Sequence, residues 1–199
     1  MEPIGHLFRS FEEPVQQVAH AEGKIIRPLQ FQNEEIRILP EPYEGLLGTL
    51  IHAYRNAADH GIESPEVRKA AGKPTEGNIF TSFQIRKESG SEFLLIQIQD
   101  DGGGIDPQKI RARLEQKGLS HQGESDAQVI QHVFDSQLST KEQVSEISGR
   151  GVGMDALLFS AKKLGGKAWV ESELTKGTSL FVQVPYFRTY QNFELKKAS

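Results

Sequence analysis

Ser148-Gly149-Arg150-Gly151-Val152-Gly153-Met154-Asp155 sets three glycines at alternate positions, directly before an apolar pattern at helical spacing (Met154, Ala156, Leu157, Leu158, Ala161, Leu164). Alternating glycines let backbone N–H groups approach a phosphate with no Cβ in the way. The helix start behind them adds unpaired N–H donors and a positive dipole end. A loop of this build cradles phosphates. No lysine followed by serine or threonine comes after the glycines, which argues against a P-loop NTPase.

Outward from this loop, the pattern predicts alternating helices and hairpins. Apolar positions at Ile4, Leu7, Phe8, Phe11, Val15, Val18 and Ala19 predict helix over residues 4–22, kinked or split in two pieces at Pro14. Residues 24–31 and 36–39 read as strands. A helix follows over 43–60, closed by Gly61, and a short one over 65–71. Residues 79–87 and 93–100 read as a hairpin turning at Ser89-Gly90-Ser91. Asp106-Pro107 opens a helix to Lys117, and residues 127–134 form another. Residues 135–150 are polar and aperiodic and read as a flexible loop. After the last helix, residues 167–174 and 178–185 form a final hairpin, and residues 186–199 a tail. Hairpins with helices to one side predict an α/β fold: a two-layer sandwich with a mixed sheet, not a doubly wound parallel one.

Composition narrows the function classes. The 199 residues are 37% hydrophobic and 25% charged, with net charge −4 and no cysteine. An acidic balance argues against nucleic acid as the main partner. Disulfide and thiol chemistry are excluded. No apolar run suits a membrane span and no signal peptide is visible, so the expected compartment is the cytoplasm.

Two further stretches carry chemistry. On the helix at 43–60, Leu46, Leu47, Leu50, Ile51, Ala53, Tyr54, Ala57 and Ala58 share one face at about 100° per residue. Thr49, His52, Arg55, Asn56, Asp59 and His60 share the other. A merely solvated face is rich in lysine and glutamate. This one has neither between Gly45 and Gly61, and offers ligands and proton carriers instead. In Asp100-Asp101-Gly102-Gly103-Gly104-Ile105-Asp106, a carboxylate ends the strongest apolar strand and glycines follow. Asp100 there can accept a hydrogen bond from a buried ligand N–H, while Asp106 suits a helix N-cap. Thr175-Lys176-Gly177-Thr178, taken alone, is a hairpin turn.

Together these pieces resemble the GHKL (Bergerat-fold) ATPases, and within them the ATP-binding domain of CheA-type chemotaxis histidine kinases. Residues 55–63 (Arg-Asn-Ala-Ala-Asp-His-Gly-Ile-Glu) resemble the family's N box and residues 100–106 its first glycine box. Ser139-Thr140-Lys141-Glu142 resembles the end of the phenylalanine box, residues 148–155 the second glycine box, and Lys176-Gly177-Thr178 the last box. The resemblance covers residues 1–185. It implies residues 1–22 as the end of a dimerisation-helix region, residues 23–185 as the ATP-binding domain, and a C-terminal tail over 186–199. Leu138, where the family usually has an aromatic, Gly103, where a basic residue is common, and the segment 33–43 depart from the pattern.

The resemblance implies ATP or ADP with Mg²⁺ as ligands and gives the residues roles. Asn56 would hold the Mg²⁺, and His52, one turn earlier, would stand where related ATPases place a catalytic acid or base. Asp59 and His60 would lie near the phosphates. Asp100 would accept from the adenine amino group, with Gly102, Gly104 and Ile105 close to the base and Thr178 supporting it. Lys109 and Arg113 would reach the phosphates. Gly149, Arg150, Gly151, Val152, Gly153 and Met154 would wrap them, with Ser139 and Thr140 in a lid over 135–150. The implied activity is phosphoryl transfer to a histidine on a separate phosphotransfer domain. The whole protein would be a dimer joined to a receptor and coupling-protein array. A nucleotide-binding regulatory module with little turnover is the alternative. A clamp-type ATPase would carry glutamate where His52 stands. His6-Leu7-Phe8-Arg9-Ser10 faintly resembles the phosphoacceptor box of ordinary sensor kinases, although a lone histidine on a short helix is more often structural.

Overall fold

The structure, a computed structural model, describes residues 1–138 and 153–189. Its centre is a hairpin. β4 (Ile79–Glu88) and β5 (Ser91–Asp100) pair antiparallel from Ile79↔Asp100 to Glu88↔Ser91. Only Ser89 and Gly90 connect them, both at positive φ (48° and 82°). Two such residues form the turn whose twist matches paired strands, so the strands run closer to the turn than their apolar pattern shows. β7 (Gly177–Pro185) pairs antiparallel with β5, and β6 (Lys167–Glu173) closes that edge. β2 (Gln30–Gln32) lies parallel to β4 on the other edge, giving the order β2-β4-β5-β7-β6. The sheet is therefore mixed, as expected.

One face of the sheet carries Ile79 and Phe83, Leu94, Ile96 and Ile98, Val170, and Leu180, Val182 and Val184, all buried in one core. The helices α3 (Glu44–Asn56) and α7 (Met154–Lys163) pack against each other over this face. A smaller second core joins Ile110 and Leu114 of α5 (Pro107–Gln116) to Val129 of α6 (Asp126–Val129) and to Leu138. Burying such side chains contributes about 1.5–3 kcal/mol each.

Several expectations are corrected. The segment at 4–22 is in two pieces, α1 (Ile4–Arg9) and α2 (Glu12–Ala21), one of the two expected outcomes, but the break falls at Ser10-Phe11 and not at Pro14. Pro14 does not kink α2, because it is the third residue of that helix, where the N–H has no intrahelical partner to lose. The strand read at 24–31 shrinks to β2, with one isolated bridge from Ile26 to Gly77. β3 (Arg37–Ile38) leaves the main sheet and pairs with β1 (Glu2–Pro3). A 3₁₀ turn over Ser136–Leu138 opens the segment read as a loop; residues 139–150 of that loop lie outside the described residues.

Both ends of the described chain pack into the same core. Phe8 is fully buried, with ring centroids 4.8 Å from Phe83, 5.4 Å from Phe11 and 6.4 Å from Tyr54. Such edge-on aromatic pairs contribute about 0.5–1.5 kcal/mol beyond their buried area. At the other end, Phe187 is buried, and its N–H donates to Tyr43 Oη, which in turn donates to the Pro185 carbonyl at 2.8 Å. The packing thus continues past Pro185; residues 190–199 of the tail lie outside the described residues.

Candidate functional site

The core-facing row of β5 reads Leu94, Ile96, Ile98, Asp100. A strand alternates its faces with period two, so the row delivers a carboxylate to the edge of the apolar layer. Asp100 is only 6% exposed. Its Oδ1 accepts the Gly102 N–H at 2.9 Å. Burial pushes its carboxyl up to about 6. Backbone hydrogen bonds from Gly102 and Thr178 oppose the rise, and the charges of Asp101 and Glu63 add to it. The bonds it receives come from neutral backbone amides rather than a cation. A buried carboxylate held this way retains capacity for another N–H donor.

Three of the sequence motifs meet around it. The N-box helix ends at Gly61, whose carbonyl accepts the Gly103 N–H at 2.9 Å. A Cβ at Gly61 would stand 3.2 Å from both Cγ and Oδ2 of Asp100, so the glycine lets this turn pass close against the carboxylate. A Cβ at Gly102 would stand 2.1 Å from the Gly61 carbonyl oxygen, so only glycine lets the two turns touch. From the last hairpin, Thr175 N–H donates to the Gly103 carbonyl at 2.8 Å. Thr178 pairs directly with Asp100 in the β5–β7 register. The Ser172 hydroxyl ties the corner together: it accepts the Ile105 N–H at 2.8 Å, donates to the Gly177 carbonyl at 2.9 Å and lies 3.1 Å from Thr178 Oγ1. Sequence reading missed Ser172, since a single serine in a strand carries no signal.

The N-box helix differs from the even helix expected over 43–60. α3 is α-helical to Asn56, and residues Ala57–Gly61 form a π-helical turn closed by Ile62 N–H to the Ala57 carbonyl at 2.8 Å. Lys24 Nζ donates to the carbonyls of Ala58 (3.1 Å) and Asp59 and holds the widened turn. Such turns recur at functional sites. His52 is half-buried and Asn56 exposed, one turn apart on α3. Asp59 and His60 lie in the π turn, with His60 Nδ1 3.5 Å from Asp59 Oδ1 and the imidazole 60% exposed.

A second feature missed in the sequence braces this corner. Arg68, on α4 (Pro65–Ala70), is fully buried. Its Nε donates to the Pro74 carbonyl at 2.7 Å. Its two remaining nitrogens reach Glu63 Oε2 (3.0 Å), Asp101 Oδ2 (3.0 Å) and the carbonyls of Asp101 and Glu76 (3.2 Å each). Lys73 Nζ adds Glu63 Oε1 at 2.8 Å and the carbonyls of Asp101 and Gly102 at 2.9 and 2.7 Å. Burial pushes the Glu63 carboxyl up, but the bonds and charges of Lys73 and Arg68 outweigh it and hold Glu63 below its ordinary value.

The remaining expected residues are placed as follows. Asp106 caps α5, accepting the Gln108 N–H at 2.9 Å. Lys109 and Arg113 stand exposed on α5. Gly153 precedes α7, and Met154 is its first residue. Ser139, Thr140, Gly149, Arg150, Gly151 and Val152 lie outside the described residues. Leu138 is buried in the second core, an apolar packing role. Among the described residues, no group of three His, Asp or Glu is placed to hold a metal ion, and no helix is long and apolar enough to cross a membrane.

The family model of histidine kinase-, DNA gyrase B- and HSP90-like ATPases matches residues 45–188. The chain is 33% identical over 187 residues to the chemotaxis protein CheA of Treponema pallidum, covering 93% of this chain and 22% of that protein. It is 36% identical over 187 residues to CheA of Borreliella burgdorferi (93% and 21%). It is also 34% identical over 187 residues to a gliding motility regulatory protein of Myxococcus xanthus (92% and 23%). It thus spans about a fifth to a quarter of these relatives. Among solved structures, a blue-light activated histidine kinase of Erythrobacter litoralis EL346 aligns with a TM-score of 0.53 at 13% identity, over 95% of this chain and 43% of that one. At that identity the likeness concerns the fold alone. The chain belongs to the family of histidine kinase-, DNA gyrase B- and HSP90-like ATPases, and its ATP-binding domain is of the CheA type.

Proposed function

We propose that the chain binds ATP or ADP with Mg²⁺ at the corner around Asp100, and presents the γ-phosphoryl group to a histidine on a separate phosphotransfer domain. The observation that carries this reading is the Asp100 carboxylate. It is buried, bonded by neutral backbone amides, and packed so close to Gly61 that no Cβ stands between them. An exocyclic amino group of adenine is the donor that suits it. A base offering a carbonyl at the same place would set oxygen against oxygen. Gly102, Gly104 and Ile105 would then line the base, with Thr178 behind Asp100.

The phosphates would extend from this corner toward Asn56 and the start of α7, where Gly153 and Met154 lead the helix. Mg²⁺ would neutralise charge on the phosphate oxygens. The donor set fits such an ion: magnesium is commonly held by one or two protein groups plus substrate phosphates, and Asn56 offers one oxygen on an exposed face. Asp59, His60, Lys109, Arg113 and the residues from Ser139 to Val152 complete the proposed set. In the transfer, a histidine nitrogen of the acceptor domain bonds to the γ-phosphorus as the bond to the bridging oxygen breaks, and ADP leaves. Positioning and charge neutralisation supply most of the catalysis in such reactions. His52, four residues before Asn56, is the side chain placed to assist the proton balance. On this reading the whole protein is cytoplasmic and dimeric, and takes its signal through a receptor array.

Transfer of label from γ-labelled ATP to phosphotransfer domains supplied in excess tests this. We expect slow transfer, because no tether raises the effective concentration. His52→Gln should reduce transfer more than it reduces ATP binding. Strong self-labelling that disappears in His6→Gln would overturn the reading and make His6 the acceptor.

A further inference from the structure

The clamp formed by Arg68 and Lys73 asks for a purpose beyond holding α4 in place. A fully buried guanidinium with five hydrogen bonds is an unusual investment for a helix of six residues. Apart from two Arg68 bonds to the carbonyls of Pro74 and Glu76, the bonds of the clamp end on the turn that follows Asp100 or on the carboxylates of Glu63 and Asp101. Arg68 and Lys73 both reach the Asp101 carbonyl, and Lys73 also takes the Gly102 carbonyl. Their ion pairs go to Glu63 and Asp101. Two cations therefore face two carboxylates, and the net charge of the cluster is zero.

We propose that Arg68 and Lys73 are positioning residues for the nucleotide base: they fix the Asp101-Gly102 turn and offset the charges of Glu63 and Asp101, so that Asp100 stands as an ionised acceptor at neutral pH. The proposal rests on the reading of Asp100 as the base acceptor. The physical argument is local. Glu63 and Asp101 are the two charged groups that act on Asp100. Gly61, Gly102 and Thr178, which pack around its carboxylate, carry no charge. Without the cations, both acids would push Asp100 toward its protonated form, and a protonated acid loses acceptor capacity. The carbonyl bonds add geometry, because the Gly102 N–H that Asp100 accepts belongs to the turn Lys73 holds.

The test is a titration of the Asp100 side-chain carboxyl carbon by NMR in the nucleotide-free chain, assigned by its loss in Asp100→Asn. Lys73→Gln should move the midpoint up by about half a pH unit, less than the roughly 1–3 units of a charge in direct contact, because Lys73 bonds to Glu63 and to the turn carbonyls. Glu63→Gln should move it down. The double variant Lys73→Gln/Glu63→Gln should return close to the parent value, which a loss of packing would not achieve. Arg68→Met paired with Asp101→Asn repeats the logic; if Arg68→Met does not fold, the Lys73 series decides. An unmoved midpoint in folded Lys73→Gln, or shifts of the same sign in both single variants, overturns the proposal. ADP titrations on the same samples separate the two readings. Shifts as expected, with no ADP binding to the parent chain, would keep the electrostatic clamp and remove the nucleotide.

Discussion

Asp100→Asn should flatten the dependence of stability on pH between about 4 and 6. The carboxyl stands near 6 in the folded chain against an ordinary 3.8. Below about pH 3 it is protonated both folded and unfolded, and ionisation costs nothing. Between pH 4 and 6 the unfolded chain releases the proton first. The folded state then binds more protons, and stability falls as pH rises. Above pH 6 the penalty is complete. A shift of about two pH units is worth about 3 kcal/mol at roughly 1.4 kcal/mol per unit. Asparagine carries no such penalty, but its amide needs a partner, and an unmet buried donor costs about 1–3 kcal/mol. The absolute difference at pH 7 can therefore be small, whereas the slope is diagnostic. Urea denaturation of both proteins from pH 4.5 to 7.5 gives the difference in unfolding free energy. Other titrating groups are common to both proteins and cancel. We expect the variant to gain about 2 kcal/mol on the parent across that range. Parallel stability curves would refute the argument that Asp100 is ionised at the cost of burial.

Three further outcomes are expected. Phe8→Ala should cost about 3–5 kcal/mol in a denaturant melt, as for other buried aromatics, because α1 is part of the main core; a cost under 1 kcal/mol would make α1 peripheral. His132 is held between Asp135 (2.6 Å) and Glu124 (2.9 Å), and the Asp135 bond leads in raising its pKa despite partial burial. Its contribution should be complete below pH 6.5 and lost as pH rises through the raised folded value, so His132→Gln should lower Tm at pH 6 and change it less at pH 9. Asn56→Asp places a charge beside the proposed triphosphate: phosphoryl transfer should be lost while metal-free ADP binding falls less, as calorimetry with and without Mg²⁺ would show.

How far these features were legible depends on whether their causes are local. The β4–β5 hairpin is written in adjacent residues: an alternating apolar row, then Ser89-Gly90. Asp100 was legible for the same reason, since it ends that row. α4 was legible as a helix, but the burial of Arg68 was not. Its five acceptors come from Glu63, Pro74, Glu76 and Asp101, residues that meet only once the fold is made. The π turn after Asn56 was hidden likewise, because its carbonyls are held by Lys24, more than thirty residues earlier. The segments at 24–31 and 36–39 misled in the opposite direction. Their loose alternation suits a strand, yet β2 is an edge of three residues and β3 pairs with the N-terminus instead.

The central claim is that Asp100 accepts a hydrogen bond from the amino group of adenine. Calorimetric titration of the chain with ADP and with inosine diphosphate tests it most directly, because the two differ in placing an amino donor or a carbonyl oxygen against the carboxylate. A charge-assisted hydrogen bond is worth about 1.5–3 kcal/mol, or about tenfold to hundredfold in affinity. The account predicts that inosine diphosphate binds weaker by that factor, and that Asp100→Asn narrows the gap by weakening ADP. Equal affinities for the two nucleotides in the parent chain would contradict it.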